Sequence, residues 1–295
     1  MSGLANFPDF SEAFLGRLAL LRFKPKPGIA GRGAGEHLVR KGGASVEFAD
    51  FRTYTWGDDF RLIDWNSYAR LDRPFVKVYR DEEGITIHFL LDCSNSMDWG
   101  SPNKLAYSLR LIAALGFIAC SGYNWVKFQS LPDGYSYPEK RGRYQIPSFF
   151  DFLSGIRSQG QCHLNREISR YAELNPRPSL IFLISDALDP LGVEGGIKRL
   201  LARGHQVIFM HILAPEEFQL EYGGDLELED REWGTKVEVT LEEQTVKVFQ
   251  ETFERWRASL RSFCLAHQIP YLFVPSSLSC EELILKRFPM AGILR

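Results

Sequence analysis

Disulfide chemistry has little to work with in this chain. The five cysteines, Cys93, Cys120, Cys162, Cys264 and Cys280, form an odd and scattered set with no CxxC. That spacing indicates neither a disulfide framework nor a zinc ribbon, and it fits a reduced, cytoplasmic protein. Long hydrophobic runs are missing too. A membrane-spanning helix takes ~20 apolar residues, and the longest uncharged apolar stretch, Leu111–Cys120, has ten. The amino-terminal MSGLANFPDFSEAF holds two acids and no basic opening, so it does not read as a signal peptide. Nor is there an excess of one charge: 35 Lys and Arg against 37 Asp and Glu leave a net charge of -2. General nucleic-acid binding works by neutralising phosphates, and such a balance argues against it. Repeats and low-complexity tracts are absent.

What remains is an ordinary globular composition, 45% hydrophobic and 24% charged over 295 residues, with ample chain for a sizeable core. Phe10, Phe14, Leu18 and Leu21 recur at helical spacing and predict a short helix that Pro25 stops. A glycine-rich, basic stretch follows: Arg17 to Lys41 carries seven Lys or Arg against the single acid Glu36. It reads as a solvated loop or as a docking strip for an acidic region. One such region lies in the chain itself, at Glu216 to Glu232, where eight acids face only Arg231. Residues 43–80 are mixed, with a strand expected around Phe75–Tyr79.

From Gly84 the pattern becomes regular. Apolar runs at 85–91, 179–185 and 206–212, with shorter ones at 126–128 and 271–274, predict strands. Helices are expected at 104–120, 149–155, 165–174, 192–203 and 242–267. Strands apolar along their length and alternating with helices imply a doubly wound, mainly parallel α/β sheet covered on both faces. The expected division is an irregular amino-terminal segment, 1–83, packed on the core, and an α/β domain, 84–295.

Two of these buried strands end in acids, Asp92 and Asp186. Ligands of doubly wound sheets bind beyond the carboxyl ends of the strands, at the topological switch point. Asp92 also opens Asp92-Cys93-Ser94-Asn95-Ser96, a D-x-S-x-S. Its alternate residues, Asp92, Ser94 and Ser96, can turn oxygens toward one point. An acid and two hydroxyls suit a hard cation such as Mg²⁺, with Asp186 as a further carboxylate. Alternatively, Asp92 simply caps the following turn.

Two segments carry a resemblance. ITIHFLLDCSNSM, followed by KLAYSLRLIAAL, resembles the start of a von Willebrand factor A domain, whose metal-ion-dependent adhesion site begins with D-x-S-x-S. Upstream, EFADFRTY and GDDFRLIDW, residues 47–54 and 57–65, are similar to the signature EF-x-x-x-R-x-Y-x-x-GD-x-x-R-x-IDW. That signature belongs to a bacterial family, domain of unknown function number fifty-eight, whose members carry a von Willebrand A core. The resemblance spans residues 28–275. It implies a six-stranded Rossmann-like sheet, with Asp92, Ser94, Ser96 and Asp186 as ligands of Mg²⁺ or Mn²⁺. The middle ligand of such sites is usually Thr, and here Cys162 stands in its place. A thiol is a soft, poor ligand for Mg²⁺. Genes of the family commonly neighbour MoxR-type AAA+ ATPases, which implies such an ATPase as a protein partner.

The signature residues Glu47, Phe48, Arg52, Tyr54, Gly57, Asp58, Arg61, Asp64 and Trp65 contain no catalytic set. They suit internal bracing, with Arg–Asp pairs and with Tyr54 and Trp65 packed between segments, or else a partner-facing surface. Other motifs are weaker. Gly31-x-Gly33-x-Gly35 follows no strand and lacks G-K-[ST], so it is no P-loop. Cys162-His163 has no surrounding catalytic signature. Ser94 lacks a G-x-S-x-G elbow. His88 and His211 sit in apolar strands and are expected to be satisfied core histidines. Met97 and Trp99, just after the Asp92 loop, suit either an interface or local packing. The sequence therefore points to a non-enzymatic protein-interaction module using an adhesion-type metal site. A scaffold with a degenerate site, or a metal-dependent hydrolase, is the rival.

Overall fold

In the computed structural model of the chain, the described residues are 8–26, 29, 47–56, 60, 63–71, 73–80, 84–220, 224–229, 234 and 236–295. They fall into two compact units. Residues 1–29 group with 86–295, and residues 30–85 form the second. The amino-terminal segment thus belongs in part with the sheet.

The larger unit is built on six strands. They are β3 (Thr86–Asp92), β4 (Trp125–Leu131), β5 (Ser136–Arg141), β6 (Leu180–Ser185), β7 (Gln206–Leu213) and β10 (Tyr271–Pro275). Their order is β10-β7-β6-β3-β4-β5, parallel throughout except for β5, which runs antiparallel to β4. Numbered in chain order, the strands read 3-2-1-4-5-6, the doubly wound arrangement, with the direction of progression reversing between β3 and β6. The mainly parallel α/β class expected from the sequence is the one observed.

Side chains alternate across this sheet, and the two faces have distinct cores. On one face Leu90, Ile181, Leu183 and Phe209 pack against α5 (Leu164–Leu174), α6 (Glu194–Ala202) and α7 (Glu243–Ala266). The opposite face carries an aromatic stack, Phe149 to Phe89 to Phe182 to Phe288, with ring centroids 5.6–6.4 Å apart. There α3 (Lys104–Ser121) and α4 (Ile146–Ser154) pack together. Gly116 lets them approach: a Cβ there would lie 2.2 Å from the Phe149 ring. Asn103 caps α3 by accepting from the Ala106 N–H at 2.9 Å. By length and composition alone α3 could cross a membrane, yet 83% of it is buried inside the unit. Each such full burial of a large apolar side chain contributes ~1.5–3 kcal/mol.

The helix α1 is shorter than its periodicity suggests, Glu12–Leu18, capped by Ser11 and burying Phe14 and Leu18. Leu21 is not part of it. Beyond, the backbone of Arg22 exchanges hydrogen bonds with Arg295, and Phe23 pairs with Leu294, because the carboxyl terminus offers an extended partner. Two polar elements were not expected. One is β5. The other is the hairpin of β8 (Gly224–Glu229), inside the acidic stretch, and β9 (Lys236–Leu241), just beyond it.

The smaller unit holds β1 (Glu47–Thr53) paired antiparallel with β2 (Phe75–Arg80), and α2 (Trp65–Leu71). Asp64 starts α2. Its carboxylate accepts from the Asn66 N–H at 3.3 Å and the Ser67 hydroxyl at 2.8 Å.

Candidate metal and partner site

The reversal between β3 and β6 opens the sheet at its carboxyl end, and both sequence-predicted acids lie there. Asp92 is the last residue of β3, and Asp186 follows the last residue of β6. Asp92 is 2% exposed. One of its oxygens, Oδ1, accepts from the Ser94 N–H at 2.9 Å, which closes the chain into a tight turn. Its Oδ2 accepts from the Ser185 hydroxyl at 2.7 Å, a bond that joins the two strands across the switch point. The hydroxyls of Ser94 and Ser96 lie 2.9 Å apart. Asp92, Ser94 and Ser96 are thus brought together by their own loop, as the alternation predicted.

Neighbouring backbone holds that loop. The Cys93 N–H donates to Leu131 O at 2.7 Å, and Cys93 O accepts from Gln159 N–H at 2.7 Å. Asn95 N–H donates to Gly160 O at 2.8 Å, and the Gly160 N–H returns a bond to Asn95 Oδ1 at 3.0 Å. Met97 is fully buried and anchors the loop's far end, while Trp99 is half-buried. On the β6 side, the Ser185 oxygen accepts from Ala187 N–H at 2.9 Å, and Ala187 turns with φ +56°, a strained conformation for a residue with a Cβ.

Asp186 lies across the switch point from Asp92, and both of its oxygens accept hydrogen bonds. Its Oδ2 accepts from the Lys104 ammonium at 2.7 Å and its Oδ1 from Leu188 N–H at 3.2 Å. Lys104, the first residue of α3, is 0% exposed. It also donates to Glu217 Oε1 at 2.5 Å, and Glu217 Oε2 accepts from Ala214 N–H at 2.7 Å. Burial alone would lower the Lys104 pKa, but the two carboxylates outweigh it and hold it above its ordinary value. For Asp92, burial and then the charge of Asp186 push the carboxyl up to about 7, despite the bonds from Ser94 and Ser185. The Asp186 carbonyl accepts from His211 Nε2 at 2.9 Å, and His211 Nδ1 accepts from the Tyr271 hydroxyl at 2.7 Å. Burial keeps His211 neutral, with its pKa lowered to about 4.

The donor set fits a divalent cation in part. Asp92, Ser94 and Ser96 supply hard oxygens from one loop. Asp186 has both oxygens engaged, one by an ammonium. Cys162 is 5% exposed and belongs to the apolar cluster of Leu90, Leu131 and Leu164. Among the described residues, no three His, Cys, Asp or Glu side chains group as a metal-holding set. Lys104, Ser185 and Glu217 were missed by sequence reasoning. Lys104 offered no signal, since a lysine in a helix's first turn reads as solvated, and Glu217 was submerged in an acidic run.

The family signature divides. Glu47 and Phe48 lie in β1, and Arg52 donates to the Thr55 hydroxyl at 2.8 Å. Tyr54 is half-buried, its N–H donating to Pro74 O at 2.9 Å. Asp64 caps α2, a role that ion-pair bracing did not foresee. Trp65, for which packing between segments and a partner-facing surface were the alternatives, is 61% exposed, with the Tyr68 ring edge-on at 6.1 Å. Gly57, Asp58 and Arg61 lie outside the described residues, as do the glycines at 31, 33 and 35. Of the basic strip, Arg17 pairs with Glu281 and Lys26 donates to Gln268 O at 2.7 Å; residues 30–46 lie outside the description.

Comparison with solved structures finds the conserved hypothetical protein BatB from Bacteroides thetaiotaomicron, 20% identical, covering 71% of this chain and 99% of that one, with a TM-score of 0.45. An aerotolerance-related membrane protein from Bacteroides fragilis is 18% identical over 71% of this chain and 98% of its own, with a TM-score of 0.41. Among curated proteins, an uncharacterized protein of Mycobacterium tuberculosis strain H37Rv is 25% identical over 217 residues, 70% of this chain and 68% of the relative. The family described as protein of unknown function DUF58 matches residues 50–259. The match takes in the later part of the signature, the Asp92 loop and Asp186, and the chain belongs to the DUF58 family.

Proposed function

We propose that the chain is a non-enzymatic protein-interaction module whose landing site is the Asp92 loop at the carboxyl ends of β3 and β6. The observation that carries this reading is the state of Asp92. It is a buried carboxylate beside two hydroxyls 2.9 Å apart, while the buried ammonium of Lys104 goes to Asp186 and Glu217 instead. A desolvated carboxylate without a counter-ion is costly to keep ionised, and a cation relieves that cost. Asp92, Ser94 and Ser96 would hold Mg²⁺ or Mn²⁺. When bound, the ion would offer an open coordination position to an Asp or Glu of a partner protein. Family membership brings forward a MoxR-type AAA+ ATPase as collaborator, in chaperone-like assembly or maturation of other proteins. Five buried cysteines, none of them in a disulfide, accord with a cytoplasmic setting.

Calorimetric titration of Mg²⁺ and Mn²⁺ tests the reading. Wild type binds, Asp92→Ala does not, and capture of partner proteins requires the divalent ion. Binding that survives Asp92→Ala sinks it. So does turnover of a phosphatase or esterase substrate that rises with Mg²⁺ and vanishes in Asp92→Ala. A scaffold with a degenerate site is the second reading, favoured by Cys162 lying in the apolar cluster. Its mark is a silent wild type beside a Cys162→Thr variant that binds.

A further inference from the structure

Lys104 occupies a place that elementary electrostatics disfavours. It is the first residue of an 18-residue helix, at the positive end of the helix dipole, with no exposed surface. A lysine there ordinarily runs out to water. This one turns inward and places its ammonium 2.7 Å from Asp186 Oδ2 and 2.5 Å from Glu217 Oε1. Its partners follow two different strands, Asp186 after β6 and Glu217 after β7. One ammonium thus ties together the start of α3 and the ends of two strands, as a coordinated cation would. The remaining oxygens of both carboxylates are taken by backbone N–H groups, of Leu188 and Ala214.

We infer that Lys104 is the site's resident cation: its ammonium holds Asp186 and Glu217 where a divalent ion would otherwise be needed, and withholds Asp186 from any metal carried by Asp92, Ser94 and Ser96. The inference rests on the reading of the Asp92 loop as a cation carrier, and it deepens that reading by assigning the metal's ligand set and its limit. The native set is three oxygens from one loop plus water. With Lys104 in place the second carboxylate is already neutralised, and a second cation entering the same buried cluster meets repulsion from the first. Metal affinity in such sites follows the number of charged ligands. Removing the ammonium therefore frees a carboxylate and removes a like charge together.

The experiment is Mn²⁺ titration of the full chain by calorimetry, with thermal unfolding in EDTA and in Mn²⁺. The chains compared are wild type, Lys104→Met, Asp186→Asn and the double variant. Lys104→Met keeps the side chain's bulk and removes its charge. The expected result is about tenfold or greater tightening of Mn²⁺ in Lys104→Met, with its lowered melting temperature in EDTA restored by Mn²⁺. The double variant loses both effects. Asp186→Asn alone leaves Mn²⁺ affinity within about threefold of wild type, because that carboxylate is already engaged. No tightening in Lys104→Met, or a tenfold loss in Asp186→Asn, overturns the proposal. A Lys104→Met chain that stays unfolded with Mn²⁺ as without it overturns it as well, since the ion then fails to replace the ammonium. A silent wild type with a tightly binding Lys104→Met sustains this proposal and ends the divalent reading of the native loop. Wild-type binding with no gain in Lys104→Met does the reverse.

Discussion

The same sheet buries a polar cluster at each of its two ends, and the clusters are built on opposite terms. At the amino end, the Tyr171 hydroxyl donates to His88 Nδ1 at 2.7 Å. Ser179 lies 3.2 Å from the same nitrogen and 2.9 Å from His205 Nδ1, and His205 Nε2 donates to Asn175 O at 2.8 Å. Every member of this network is kept neutral. Burial, then Lys127 and His205, lower the His88 pKa to about 3. At the carboxyl end the members are ionisable: the carboxylates of Asp186 and Glu217 hold the Lys104 ammonium, and Asp92 lies buried beside Asp186. The neutral network closes on itself and stabilises the fold. Among the described residues, the charged one leaves Asp92 short of a counter-ion and Ala187 strained. Such costs persist where something outside the fold uses them.

The largest expected effect lies at the charged end. Lys104→Ala leaves Asp186 and Glu217 buried with no ammonium, and removal of one partner from a buried ion group costs ~3–5 kcal/mol. Urea unfolding at neutral pH measures it. A loss under ~1 kcal/mol would mean that the carboxylates find water or protons easily, and the contrast between the two ends would collapse.

Acid separates the clusters next. His88 and His211 have folded pKa values of about 3 and about 4, below the ordinary 6.5. Above pH 6.5 both are neutral whether the chain is folded or not. As pH falls below 6.5 the unfolded chain takes protons that the folded one refuses. Stability then drops by about 1.4 kcal/mol per unit for each histidine, down to their folded values. Asp92 runs the other way. Its folded pKa of about 7 lies above the ordinary 3.8, so its cost is full above pH 7 and fades as pH falls to 3.8. Between pH 6.5 and 4, one rising contribution opposes two falling ones. His88→Gln flattens the acid slope, and Asp92→Asn steepens it; unfolding free energies across pH 4–8 show both.

The same reasoning gives Asp92→Asn a gain at pH 8, on the order of 1–3 kcal/mol, that vanishes near pH 4. A destabilised Asp92→Asn at pH 8 would show that the Ser94 and Ser185 bonds, rather than desolvation, dominate at that carboxylate.

How the two ends became visible differs as well. The strands β3, β6 and β7 and the helices α3 and α7 were legible because burial on both faces writes long apolar runs into a sequence. The position of Asp92 and Asp186 followed from those runs, since each acid ends one. The strand β5, SYPEKR, and the hairpin of β8, GDLELE, were not legible, because polar edge and hairpin strands bury too little to show. The ammonium's partners lay 82 and 113 residues away along the chain. No local pattern encodes such a pairing; only the order of strands around the switch point creates it. His88 and His211 were read correctly as core histidines, since an apolar strand leaves a histidine little choice but to be neutral and bonded.

The smallest effect sharpens the comparison most, because it applies one chemical deletion to both ends. Ser179→Ala removes a buried hydroxyl and leaves His205 Nδ1 without the bond it accepts at 2.9 Å, at a cost of ~1–2 kcal/mol. Divalent binding is unchanged by it. Ser96→Ala removes a half-buried hydroxyl that bonds another hydroxyl, Ser94, 2.9 Å away. Water replaces that bond readily, so stability changes by ~0.5 kcal/mol or less. Mn²⁺ binding, by contrast, falls at least about tenfold with one of three loop donors gone. Thermal unfolding and calorimetry on the same two variants give the pair of readouts. If Ser96→Ala costs stability as Ser179→Ala does and leaves Mn²⁺ binding intact, the Asp92 loop is a structural turn like its counterpart, and partner recognition has to be sought elsewhere, beginning with the exposed Trp65 of the smaller unit.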